Sequence, residues 1–135
     1  MTCFTIYSDG AARGNPGPAG AGAFLSDEKG DTVAEVYKYL GEATNNQAEY
    51  SALILGLEEA LKIGATKVSV FCDSELLVKQ VKGEYRVKNA GLRPLYEEVV
   101  KNLKKIGGYT IAHVPREQNK RADELANLAI DSQEL

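Results

Sequence analysis

Tryptophan is absent from this chain, methionine and histidine occur once each, and cysteine twice. The two cysteines, Cys3 and Cys72, cannot build a disulfide framework and form no C-x-x-C pair, which excludes a disulfide scaffold and a thiolate metal site. They are expected as buried thiols near opposite ends of neighbouring parallel strands, roughly 15–20 Å apart at ~3.3 Å per residue and so unbonded. No apolar run reaches membrane-spanning length, and the opening Met1-Thr2-Cys3-Phe4-Thr5-Ile6-Tyr7 lacks the basic start and apolar stretch of a signal peptide. A cytoplasmic location is the expectation. The phosphate-binding pattern G-x-x-x-x-G-K-[ST] does not occur, and no repeat, low-complexity tract or linker is found. Positive charge is not in excess either: 16 Lys and Arg against 19 Asp and Glu give −3. That balance counts against phosphate binding unless several acids gather around divalent cations, which reverse the local sign.

What is present is the balance of an ordinary globular protein. At 135 residues, 44% hydrophobic and 26% charged, the chain suits one domain over residues 1–135 with a two-layer core. Cys3 to Asp9 reads as a strand, with Phe4, Ile6 and Ser8 on one face and Thr5 and Tyr7 on the other. The glycine- and proline-dense stretch from Gly10 to Pro18 reads as a shaped loop. Ala19 to Ser26 and Thr32 to Leu40 form two further strands about the polar turn Asp27 to Asp31, giving three antiparallel strands in succession. Thr44-Asn45-Asn46 opens a helix that Gly64 stops. Val68 to Cys72 is a short strand, and Ser74 starts a helix through Val81. After Gly83 a loop leads to a helix from about Leu92 to Ile106, a strand from Tyr109 to Val114, and a last helix from about Asn119 to Ile130. Asp131 to Leu135 read as loose. The order predicts an α/β fold: a five-stranded mixed sheet, three antiparallel strands then two parallel, with helices on both faces.

Asp9 and Asp73 each end a buried strand, at the edge where α/β sheets bind ligands, and parallel neighbours would place them side by side. Either alone would more often be a turn residue or a helix cap. Glu49 lies beside the apolar stripe of its helix at Ala48 and Ala52. Asp123, in the first turns of the last helix, is accounted for in isolation by the helix dipole. Collected at one edge, carboxylates ~4 Å apart cost on the order of 4 kcal/mol per pair at an effective dielectric of 20, so the cluster needs cations. All-oxygen ligands suit a hard ion such as Mg²⁺, with Mn²⁺ as a substitute, and a pair of such ions suits in-line phosphodiester cleavage. His113, ten residues before Asp123, gains beside such a cluster the task of moving protons at a leaving group.

Four ordered motifs then resemble one family. They are Tyr7-Ser8-Asp9-Gly10-Ala11-Ala12-Arg13-Gly14-Asn15-Pro16-Gly17-Pro18, Thr44-Asn45-Asn46-Gln47-Ala48-Glu49, Asp73-Ser74-Glu75, and His113 through Arg121-Ala122-Asp123-Glu124-Leu125-Ala126. From about residue 3 to residue 130 the chain resembles the type-1 ribonuclease H family. The resemblance implies a ribonuclease H-like fold and hydrolysis of the RNA strand of RNA–DNA hybrids, leaving 5′-phosphate and 3′-hydroxyl ends. It makes Asp9, Glu49, Asp73 and Asp123 the acids that hold two Mg²⁺ ions, and His113 a loop histidine for proton transfer and product release. It sets Gly10, Ala12, Arg13 and Asn15 against RNA 2′-hydroxyls, Asn45 and Asn46 in the minor groove, and Thr44 on a DNA phosphate, with Gln47 and Ser74 among the binding residues.

Glu75 stands where many members have glutamine, and Gln47 where some have a basic residue. The segment from Gly83 to Gly91, with only Arg86 and Lys88 positive, is shorter than the basic handle some members carry; weak, salt-dependent binding is expected. An integrase, transposase or resolvase on the same fold is disfavoured by Asn45-Asn46, and a non-catalytic binding module by the intact acids. A related nuclease cutting double-stranded RNA or DNA stays open. An actin-like phosphotransferase would need a longer chain. No apolar stripe is left unpaired, so a monomer without a protein partner is expected.

Overall fold

β-branched and apolar residues in alternation make the two short parallel strands, and small residues dominate one of the longer antiparallel ones. The computed structural model describes residues 2–133. The strands are β1 (Cys3–Ala12), β2 (Gly17–Ser26), β3 (Thr32–Ala43), β4 (Lys67–Cys72) and β5 (Gly108–His113). The helices are α1 (Asn45–Lys62), α2 (Glu75–Val81), α3 (Arg93–Ile106) and α4 (Lys120–Gln133), with a short 3-10 turn at Arg116–Gln118. The strands form one five-stranded sheet in the order β3-β2-β1-β4-β5. β1 pairs antiparallel with β2 and parallel with β4, and β4 pairs parallel with β5. The expected topology is borne out.

Ile6, Leu25, Val68 and Val70 face Leu53, Leu57, Val99 and Leu103 in a core under α1 and α3. α4 covers the opposite face, against β2, β1 and β3. Small residues set that second contact. A Cβ on Gly22 would lie 2.5 Å from the Ala126 amide nitrogen and 2.6 Å from the Ala122 carbonyl oxygen. Beside α4, Tyr7 stacks on Phe24 with ring centroids 4.9 Å apart and on Phe71 at 5.3 Å. Cys3 and Cys72 are both free thiols, offset by five positions in the β1–β4 register; Cys72 is buried and Cys3 is half-buried rather than buried.

Two further expectations need correction. The segment 10–18 is mostly strand: β1 runs on to Ala12 and β2 begins at Gly17, with pairing from Gly10↔Ala21 to Ala12↔Ala19. Its glycines mainly serve close packing, and the reversal is confined to residues 13–16, where Asn15-Pro16 is cis. α4 also runs to Gln133 rather than fraying after Ile130. Asp131 is held there by Arg13 at 2.7 Å, and Ser132 Oγ donates to the Leu128 carbonyl at 2.7 Å. The rest of the expected loose tail lies outside the described residues.

Candidate active site

The parallel ladder between β1 and β4 ends at Ser8↔Cys72, and the next residue on each strand is an aspartate. β4 stops there, but β1 continues, with Asp9 opposite Gly22 of β2. A notch opens beside Asp9 where β4 is missing. Helix α1 closes its rim because Gly10 has no side chain: a Cβ there would overlap the backbone of Ala48 and the amide of Glu49. Glycine at position 10 therefore sets how close Glu49 comes to Asp9.

One carboxylate oxygen from each of Asp9, Glu49 and Asp73 lies within 4.8 Å of the others. Asp9 is 3% exposed, and Oε2 of Glu49 is buried with no hydrogen-bond partner among the described residues. Burial, and then the negative charge of Glu49, push the Asp9 carboxyl far above the usual carboxylate range. Burial and the charge of Asp73 also raise Glu49, against opposing hydrogen bonds from Asp9 and the Gly10 backbone. Carboxylates crowded within 4.8 Å of one another, one of them with a buried oxygen that no donor among the described residues reaches, call for a cation. The donor set is all oxygen, which fits a hard divalent ion and not a soft one.

Asp123 lines the same groove of about 470 Å³ but stands outside the tight group of three. Its carboxylate is 4.0 Å from the Arg116 guanidinium and accepts from the Asn127 side-chain amide at 3.3 Å. The helix that carries it is pinned to β1 by Asn119, fully buried, whose Nδ2 donates to the Ser8 carbonyl at 2.8 Å. His113 is exposed at the end of β5, opposite Cys72 in the register. It lines a neighbouring depression with Glu75, Lys79 and Lys82 rather than the acidic groove.

Gly10, Ala12, Arg13 and Asn45 all line the groove. Asn15 Oδ1 accepts from the Asn45 backbone at 3.0 Å, tying the β1–β2 bend to the start of α1. Thr44 and Gln47 form a reciprocal cap: Thr44 Oγ1 accepts from the Gln47 amide, and Gln47 Oε1 from the Thr44 amide. Asn46 is exposed beside them. Ser74 caps α2 through the Leu77 amide at 3.2 Å. Near the end of α2, Gln80 accepts from the Tyr50 hydroxyl at 2.7 Å and donates to the Arg86 carbonyl, in the short segment that follows, at 3.3 Å. Glu75 pairs with Lys79 at 2.9 Å and offsets its charge.

Sequence reasoning did not single out Arg116, Asn119 or Asn127. The i,i+4 spacing of Asp123 and Asn127 was the one available signal.

Comparison with known proteins agrees with this geometry. A family model described as reverse transcriptase-like matches residues 7–129. Ribonuclease HI of Halobacterium salinarum is 45% identical over 125 residues, 93% of this chain and 63% of that protein. Ribonuclease H of Chlorobaculum parvum is 37% identical over 144 residues, 96% of each. The crystal structure of LC11-RNase H1 in complex with an RNA/DNA hybrid superimposes with a TM-score of 0.93 at 44% identity, covering 98% of this chain and 99% of that one. The chain spans 35% of the length of the first curated relatives it matches.

Proposed function

The chain belongs to the type-1 ribonuclease H family, and from that premise we propose that it hydrolyses the RNA strand of RNA–DNA hybrids, with Mg²⁺ held by Asp9, Glu49, Asp73 and Asp123. The observation that carries this is the three-acid cluster of buried Asp9 with half-buried Glu49 and Asp73, oxygens within 4.8 Å, in a groove walled by Gly10, Ala12, Arg13 and Asn45. Two divalent cations bound there would supply Lewis acidity at the scissile phosphate and a lowered pKa for the attacking water.

The chain's own residues do the rest. Asp9 and Asp73, fixed by the strand register, hold their oxygens in one geometry before substrate arrives, so no reorganisation is needed at the moment of reaction. Glu49 reaches the cluster from the α1 side, where a ribose 2′-hydroxyl would lie; its partnerless Oε2 is an acceptor for that hydroxyl or for a cation. The backbone from Gly10 to Asn15 and the Asn45 side chain face the minor groove, where the 2′-hydroxyl separates RNA from DNA. The Thr44 cap leaves the α1 N-terminus directed at a DNA-strand phosphate. His113, at the end of β5 in the adjoining depression, would turn toward the groove to deliver a proton to the departing 3′ oxygen. The P–O3′ bond breaks as the water oxygen bonds to phosphorus, leaving 5′-phosphate and 3′-hydroxyl ends.

A panel of labelled substrates tests the reading: RNA–DNA hybrid, single-stranded RNA, double-stranded RNA and double-stranded DNA, each with Mg²⁺. Cleavage confined to the RNA strand of the hybrid is expected. Equal cutting of double-stranded DNA would overturn the proposed 2′-hydroxyl recognition, and cutting of double-stranded RNA would widen the substrate while keeping the site.

A further inference from the structure

Asp123 differs from the other three acids in how it is held. Asp9 and Asp73 are fixed by strand register and Glu49 by the approach of α1 to Gly10, whereas Asp123 rests on side chains. The Asn127 amide, one helical turn along α4, donates both to the Asp123 carbonyl at 3.0 Å and to its carboxylate at 3.3 Å. The Asn127 oxygen in turn accepts from Arg13 at 3.2 Å. Arg13, on the β1–β2 bend, is itself paired with Asp131 at 2.7 Å.

We propose that Asn127 is a positioning residue for Asp123, aiming its carboxylate into the groove and linking it through Arg13 to the bend that meets substrate. An asparagine amide is suited to this. It donates with one end and accepts with the other, so one side chain can join an acid to a guanidinium. On the other side Arg116 stands 4.0 Å from the Asp123 carboxylate, across longer range and in greater exposure. Without the Asn127 donor the carboxylate swings toward that guanidinium and away from the cluster. Loss of a hydrogen-bonding partner behind a metal-holding side chain typically weakens metal affinity by about 10–100-fold.

The inference rests on Asp123 holding metal, and its test separates the two. Mg²⁺ binding to the full chain is measured calorimetrically, without nucleic acid, for the parent, Asn127→Ala, Asp123→Asn and the double variant. Melting temperature is followed alongside. Asn127→Ala is expected to weaken Mg²⁺ binding about tenfold or more. In hybrid cleavage it should lower kcat with little change in KM, and raised Mg²⁺ should restore the rate. In the Asp123→Asn background, Asn127→Ala should have no further effect on metal binding, because the two act as one unit. If Asn127→Ala weakens binding equally in both backgrounds, or leaves Mg²⁺ binding unchanged, the positioning role is overturned. If Asp123→Asn itself leaves Mg²⁺ binding unchanged, the assignment of Asp123 as a ligand fails instead. A conservative Asn127→Gln that recovers part of the Mg²⁺ affinity supports a hydrogen-bonding role over simple packing.

Discussion

At the scale of the residue, the acids at the sheet edge oppose folding unless something neutralises them. Asp9 and Glu49 both carry raised pKa values, mainly through burial. A carboxyl whose folded pKa is raised binds protons more tightly in the folded than in the unfolded state. Stability from such a group is complete below the unfolded value of about 4 and is lost as pH rises through the folded value. With chelator present, the protein is therefore expected to lose stability as pH rises from about 4 through neutrality, and denaturant titration across that range measures it. Asp9→Asn removes a carboxyl that must either repel its neighbours or take up a proton when the chain folds. It should raise the melting temperature of the chelated protein, with a stability gain of up to about 4 kcal/mol if one pair at ~4 Å dominates, and the gain should shrink when Mg²⁺ is added. An unchanged or lowered melting temperature in chelator would contradict the electrostatic account of the cluster.

The adjacency of Asp9 and Asp73 could be read from the sequence because strand endings and parallel pairing fix it. The partial separation of Asp123 could not. Whether a helical carboxylate joins a cluster depends on which way one side chain turns, and that turns on its contacts with Asn127 and Arg116, which the order of elements does not reveal. His113 was found as a strand-end residue near the acids, yet the register puts its side chain in the adjoining depression.

Elements meet at this site through small residues and caps. β2 accepts α4 because Gly20 and Gly22 leave the helix backbone room at the Ala122 and Ala126 turns. Gly22→Ala is expected to push α4 outward and cost about 1–3 kcal/mol. It should also lower Mg²⁺ affinity, since α4 carries Asp123; a fully stable variant by chemical denaturation would contradict the close packing. The α1 cap is a second junction. Thr44→Ala removes the acceptor for the Gln47 amide and should cost about 1 kcal/mol, and it should raise KM for hybrid more than it lowers kcat if the helix start holds phosphate. The glycine-dense segment after Asp9 misled sequence reading because a glycine needed for close approach and a glycine needed for a turn have the same letter. Only the partner across the interface, Ala48 for Gly10 or Ala126 for Gly22, tells them apart. The end of α4 was likewise misplaced because the contact that holds it, Arg13 with Asp131, joins residues 118 positions apart.

For the molecule as a whole, the net charge of −3 is the feature that fits hybrid binding least. Part of the answer is local, since the acids are gathered where cations would mask them. The rest is a thin supply of free positive charge around the groove: Arg13 is engaged by Asp131, Lys79 by Glu75, and Arg121 by Glu35 at 2.9 Å. Affinity for hybrid is thus expected to be modest and to fall about tenfold or more between 50 and 200 mM salt. Binding measured by fluorescence anisotropy in chelator, on the Asp9→Asn variant, reads that dependence without cleavage, and a flat response would contradict it. The sheet order and the two-faced helix packing were legible because strand alternation and helix periodicity act over whole elements, while the ion pairs that ration this charge belong to single side chains and appear only in the folded structure.

The most direct test of the central claim is cleavage of a labelled RNA–DNA hybrid by the parent and by Asp9→Asn, each with Mg²⁺ and with chelator. RNA-strand cutting by the parent with Mg²⁺ only is expected, with a loss of more than about a hundredfold in Asp9→Asn, a larger effect than removing a mere supporting partner. Cutting that persists in chelator, or an Asp9→Asn variant as active as the parent, would contradict it.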